Sequence, residues 1–402
     1  MRWSPPADGG RAALACSLAL TAFLLGWAVL HTDRWQEVEL VDTPTYEAYG
    51  DAIVRGEVPY RDFVPEYPPL ALPAFVVPSL VVGADASQDA YATAFDLEML
   101  VCGAALVVLV WWALLALGAS GAGLWAPLLF VAVAPLLLGS LVLTRFDLWP
   151  VLLTSAAVAA LVSGRDRLGA GFLGAAVAAK LYPAVLVPLV AVWIWRRRGR
   201  RELLVAAGSF GAVLAVCVVP FLLVAPDGLA SSLWRQLDRP LQVESLPAAL
   251  LVLAGSADVE SSHGSQNLAG DGGVALGVVM TVAAAAVLVW LWLRFGRAPM
   301  QSARLVQDGA ACVVAFVAFG KVLSPQYLLW LVPLVPLVRG RRGLLASGLL
   351  AVALVLTQAW FPRHYWDYAT GLDRGVAALV VARDLLLLAL LAVLVSRPRA
   401  RA

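Results

Sequence analysis

The chain has 402 residues, 61% of them hydrophobic and 14% charged, with a formal net charge of +2. Soluble domains carry roughly 45–50% apolar and about 25% charged residues, so this composition excludes an ordinary soluble enzyme, and the short basic clusters give no support to nucleic-acid binding. Apolar runs recur from Ala12 to Val395 with no long polar segment between them, which predicts a polytopic membrane protein forming a single integral domain over residues 1–402.

The first run, AALACSLALTAFLLGWAVL at 12–30, follows Arg2 and Arg11 and lacks a small-residue cleavage site, so it reads as a retained signal anchor. Cys16, Cys102, Cys217 and Cys312 all lie inside apolar runs, where thiols act as small hydrophobes. After the anchor, DTPTYEAYGDAIVRGEVPYRDFVPEYPPL at 42–70 gathers six acids and four tyrosines. The piece LALPAFVVPSLVV at 70–82 is short and carries Pro73 and Pro78. It is expected to lie along the membrane surface, because a span there would reverse the side of every later loop.

Further spans are predicted at 92–117, 124–143, 147–163, 168–180, 183–195, 203–225, 273–293, 304–320, 326–338, 344–361 and 376–396, about twelve in all. The breaks SGRDR, WRRRGRRE, LRFGRAP, VRGRRG and the tail SRPRARA are rich in arginine, as cytoplasmic loops are. Both termini are therefore expected inside, and the acidic breaks 31–91, 226–272 and 362–373 outside. The short pairs 168–195 and 304–338 turn back at KLYP and KVLSP. Backbone that turns within the membrane is tolerated where it lines a polar cavity, so a cavity open to the outside is expected.

Candidate chemistry lies at these outer breaks. Asp42 precedes Tyr46 and Tyr49 at helical spacing, and a carboxylate at the rim of an apolar cavity suits general-base work. The bland alternative is a solvated acid, since external loops are acidic in any case; Asp62 and Glu66, the latter beside Tyr67, compete for the role. Arg145 and Asp147 in LTRFDLWP form either an internal ion pair or a site where Arg145 meets an anion. Lys180 and Lys321 are the only lysines, each at the turn of a short pair; they either hold a phosphate or snorkel to the surface. The loop 226–272 carries Asp238, Arg239, Gln242 and Glu244, then a Gly/Ser-rich part that reads as mobile. His364 stands in FPRHYWDY among aromatic residues at the outer end of a span. No P-loop, dinucleotide fingerprint, zinc spacing or nucleophile elbow is present.

Taken in order, DTPTY…GEVPYRDFVPEYPPL, RFDLWP, AAKLYPAVLVP, DRPLQVESL and GKVLSPQYLLWL resemble the GT-C integral-membrane glycosyltransferases of actinobacteria, in particular the polyprenol-phosphate-mannose-dependent alpha-mannosyltransferases. The resemblance covers about 42–390 and implies an all-α transmembrane bundle of GT-C type in the plasma membrane. It implies a polyprenyl-phosphate sugar donor, with mannose the leading sugar, and a lipid or glycan acceptor on the outer face. It further implies inversion at the anomeric carbon, with Asp42 as base; the chemistry then calls on Lys180, Lys321 and either Arg145 or His364 to stabilise the departing phosphate. Tyr46, Glu66, Tyr67, Asp147, Tyr182, Glu244 and Gln326 fall in the same motifs as substrate contacts. The scheme requires no metal and no cofactor. The rival reading is a transporter or flippase of a lipid-linked sugar or small solute, though the two similar halves common in transporters are not visible.

Overall fold

The computed structural model describes residues 9–32, 35 and 40–396. The chain is 76% helical with little sheet. Among the described residues, six helices are long and apolar enough to cross a membrane: Gly9–Leu30, Gln88–Ala116, Arg200–Val224, Gly270–Gly296, Gly340–Trp360 and Arg374–Val395. The most apolar window of Arg200–Val224 has no residue covered by protein. A surface so apolar and so bare is stable only in a non-aqueous surround. Backbone contacts divide the chain into two compact units, Met1–Arg239 and Pro240–Ala402.

In the first unit, Gly9–Leu30 packs on Gln88–Ala116 and Ala122–Leu138, and Gln88–Ala116 packs on Leu148–Val162. Leu148–Val162 then packs on Asp166–Ala179, and this last on Arg200–Val224. Small residues allow the close approaches, as membrane helices require. At Gly174 a Cβ would stand 2.6 Å from the Phe210 carbonyl oxygen, and at Gly50 any side chain would collide with the Phe75 carbonyl. Gly50 thus seats helix Thr43–Val54 on helix Pro73–Val82, the segment expected at the membrane surface. Asp51 locks the same contact by accepting from Ser79 Oγ at 2.7 Å.

The two arginine-rich breaks of this unit meet at one end. Asp166, almost wholly buried, pairs with Arg198 at 3.2 Å, and Arg167 forms a two-point pair with Glu202 at 2.8 Å. Lys180 follows the opposite end of the 14-residue helix Asp166–Ala179, about 21 Å away at 1.5 Å per residue.

In the second unit, Leu246–Ala254, Ser302–Ala318 and Gly340–Trp360 all pack on Arg374–Val395. Its arginine-rich breaks converge as well: Asp308 is fully buried between Arg304 at 2.5 Å and Arg294 at 3.6 Å, and Arg342 bonds the Gln307 side chain and the Ser396 carbonyl.

Two expectations are corrected here. The run 326–338 is not one helix but two 3₁₀ turns, Pro325–Trp330 and Val335–Leu337; Pro325, Pro333 and Pro336 remove the donors and fix the angles that an α-helix needs. The Gly/Ser-rich part of the loop 226–272, expected to be mobile, holds regular structure instead. Residues 226–272 hold helices Pro226–Leu237 and Leu246–Ala254 and an antiparallel hairpin, Val259–Ser262 with Ser265–Leu268. His263 and Gly264 both have positive φ, 52° and 68°, the two-residue turn whose twist suits a hairpin. Backbone bonds from Val243 to Gln266 and from Leu268 to Leu241 lay the segment PLQVES against its edge.

Candidate active site

Asp42 is the N-cap of helix Thr43–Val54, yet its side chain makes no capping bond. An N-cap aspartate ordinarily accepts from the second or third helical amide, and here Pro44 removes one of these donors. Arg145 Nη1 instead pairs with Oδ1, and the Tyr46 hydroxyl, one turn along the helix, donates to Oδ2 at 3.2 Å. Tyr46 is buried, stacked on Phe75 at 4.5 Å between ring centres and edge-on to Phe146 and Tyr67. Burial pushes its phenol well up, and the neighbouring Tyr67 and Asp147 add to the shift. The hydroxyl therefore keeps its proton and remains a donor.

The RFD triplet sends its three side chains three ways. Arg145 reaches Asp42 and also donates to the Leu40 carbonyl at 3.3 Å. Phe146 enters the aromatic group around Tyr46 and Tyr67. Asp147, 1% exposed, accepts from Lys180 Nζ at 2.7 Å. Arg145 thus reaches Asp42 and Asp147 reaches Lys180, at the turn where the chain enters helix Leu148–Val162. Lys180 is folded inward, its ammonium 4.6 Å from the Phe146 ring centre and 6.0 Å from that of Tyr67, contacts that favour a cation. Tyr182 lies just beyond it, 2.9 Å from Thr154 Oγ1.

The acids that compete with Asp42 are placed differently. Asp62 accepts from Arg61 and from the Val58 amide, and these bonds hold its carboxyl down to about 2. Glu66 is exposed; its carbonyl accepts from Gln236, and Ser232 donates to the Pro65 carbonyl. Helix Pro226–Leu237 therefore pins this loop. Glu66 bears on the site through Tyr49, whose phenol is raised by burial first and by the Glu66 charge second.

Asp42, Tyr46, Tyr67, Arg145, Asp147, Lys180 and Tyr182 are thus gathered within the first unit. Glu244, Lys321, Gln326 and His364 belong to the second. There the Lys321 carbonyl accepts from the Gln242 amide at 2.9 Å, while the Gln242 side chain accepts from the Leu323 amide at 3.1 Å. Gln326 stands on the adjoining 3₁₀ turn. Glu244 is buried and its carbonyl accepts from Arg383 at 2.7 Å. His364 faces solvent, 2.9 Å from Asp367.

Sequence reasoning missed Arg383 and Asp384, which pair at 2.6 Å in the interior of helix Arg374–Val395. Ion-forming residues at such a depth are uncommon, and the ARD triplet inside an apolar run was the available signal.

The sequence profile described as glycosyltransferase family 87 matches residues 63–325, well over half of the chain. The chain belongs to glycosyltransferase family 87. Family 87 consists of membrane glycosyltransferases of GT-C type, so the protein is a glycosyltransferase. The matched stretch contains Glu66, Tyr67, Arg145, Asp147, Lys180, Tyr182, Glu244 and Lys321, whereas Asp42, Tyr46, Gln326 and His364 lie outside it. No individual curated protein matches the chain significantly.

Proposed function

We propose that this family 87 protein transfers a sugar, mannose in the leading case, from a polyprenyl-phosphate donor to an envelope glycolipid or glycan, with inversion and with Asp42 as general base. The observation that carries the reading is the position of the Asp42 carboxylate: it declines its capping role, lies one-third exposed, and pairs with Arg145, whose charge in turn bears on Lys180. Glycosyl transfer needs a base for the acceptor hydroxyl and fixed positive charge for the phosphate that leaves.

In this scheme the acceptor oxygen bonds to the anomeric carbon as the bond from that carbon to the phosphate oxygen breaks. The hydroxyl proton passes to Asp42, and the electron pair leaves on the phosphate. The transition state resembles the oxocarbenium ion of glycoside cleavage. Arg145 suits the phosphate because a guanidinium offers paired donors in a plane, and Lys180 supplies a compact point charge. We assign the site to the outer face of the plasma membrane. Both termini are assigned to the cytoplasm, and about twelve spans follow if the short apolar helices cross in pairs. The meeting of arginine-rich breaks at one end of each unit supports that orientation.

The test is transfer. Membranes containing the protein are supplied with a panel of radiolabelled polyprenyl-phosphate sugars and native envelope lipids, against membranes containing the Asp42→Asn variant. Label appearing in a lipid or glycan product only with the wild type supports the reading. Transfer from a nucleotide sugar alone would overturn the donor assignment.

A further inference from the structure

At rest, Asp42 has the wrong partners for a base. A guanidinium beside a carboxylate favours its charged form and makes it slow to take a proton, and Arg145 Nη1 occupies Oδ1 while the Tyr46 hydroxyl occupies Oδ2. The pair is unequal in access: the Asp42 side chain is 33% exposed and that of Arg145 only 8%. Asp42 pairs with Arg145 and Asp147 with Lys180, and the Arg145 and Arg239 charges both bear on Lys180. Repelling cations gathered in this way favour the entry of a phosphodiester anion. Lys180 is committed to a carboxylate with almost no access to solvent. Releasing Asp42 costs less, because its freed oxygen opens toward the accessible side, where an acceptor hydroxyl can replace the lost donor.

We propose that Arg145 is a donor-sensing latch on the base: the lipid phosphate takes the guanidinium from Asp42, and only then is the carboxylate open to the acceptor. The inference rests on the reading of Asp42 as base and of a lipid phosphate as donor. It makes Arg145 a positioning residue for Asp42 as well as a phosphate ligand, and it imposes an order, donor before acceptor. Transfer converts the phosphodiester into a monoester of higher charge, which Arg145 holds more firmly. Once the polyprenyl phosphate departs and Asp42 loses the acquired proton, the pair re-forms.

Purified full-length protein carrying aspartate labelled with carbon-13 at the side-chain carboxyl is titrated with a short-chain polyprenyl phosphate. Binding is followed by calorimetry and carboxylate stretching by infrared difference spectroscopy. A saturable shift of one carboxylate band is expected, absent from Asp42→Asn and retained in Asp62→Asn. Arg145→Gln should abolish the shift, and Arg145→Lys should restore it at roughly tenfold higher ligand, the consequence of exchanging a two-point contact for a one-point contact. Saturable binding without an Asp42 band overturns the latch and leaves the base assignment to the turnover of Asp42→Asn. An absence of saturable binding overturns the donor reading, and the latch with it.

Discussion

Lys180 Nζ lies 2.7 Å from Asp147 Oδ1, with the carboxylate 1% exposed and the lysine side chain 14% exposed. The pair joins the turn after one short helix to the start of another, so it is both a strut and a store of positive charge. Breaking a buried pair by removing one member leaves an uncompensated charge, at a cost of roughly 3–5 kcal/mol. Lys180→Met should therefore lower thermal stability by about that amount and weaken donor binding as well. Adding Asp147→Leu removes the stranded charge, so the double variant should recover stability but not donor affinity. Thermal unfolding and donor titration on the same samples separate the two effects; a Lys180→Met protein of wild-type stability would contradict the ion pair.

Asp42→Asn keeps the shape of the side chain but cannot accept a proton. Turnover should fall by roughly 10²–10⁴-fold, the range for loss of general-base catalysis, with folding intact. Asp62→Asn and Glu66→Gln should cost far less, since Asp62 is engaged with Arg61 and Val58 and Glu66 is exposed. Transfer of labelled sugar by variants matched for thermal stability is the measurement. A dead Asp62→Asn beside an active Asp42→Asn would move the base to Asp62.

Asp62 also yields a pH signature. Its carboxyl is held down to about 2 from an ordinary 3.8, first by Arg61 and then by the Val58 amide. A depressed folded value means that the contribution to loop stability is complete above the unfolded value and is lost as pH falls through about 2. Carbon-detected NMR on the labelled protein should show this carboxylate ionised down to that range. A midpoint near 4 would remove the bond to Arg61.

Orientation is open to thiol chemistry. In a background without the four native cysteines, Ala48→Cys, Ser261→Cys and Asp367→Cys should react in intact cells with an impermeant reagent, and Arg201→Cys and Arg341→Cys should not. All five positions are exposed, so silence reports sidedness rather than burial. Labelling at 201 alone would reverse the first unit.

Much of the first unit's site was legible because charge inside an apolar run is expensive: Arg145, Asp147 and Lys180 stand out in sequence for that reason. Their partners were not legible. The direction in which Arg145 and Asp147 leave the RFD turn depends on how the chain enters helix Leu148–Val162, and that is set by packing. The hairpin at 259–268 was hidden by its Gly/Ser composition, although His263–Gly264 between two short polar strands is a local turn signal. The 3₁₀ turns after Ser324 were readable from their prolines, but the apolar count over 326–338 outweighed them. Arg383 and Asp384 were absorbed into a predicted span, and only their burial against Trp360 and the Glu244 carbonyl shows what the pair supports.

On the proposed orientation, with the Asp166–Arg198 end of helix Asp166–Ala179 at the cytoplasmic face, its 14 residues would carry the chain about 21 Å into a hydrocarbon core of about 30 Å. Lys180 would then end well short of the far face, beside the rings of Phe146 and Tyr67. Such a depth bears on the partition of the activated sugar between its two possible captors. Water is the most abundant hydroxyl outside a cell, and every donor it intercepts is a spent lipid carrier with no product. A reacting centre set below the surface would meet few water molecules and admit only an acceptor able to reach down to it, so the length of this short helix would bear directly on the ratio of transfer to hydrolysis.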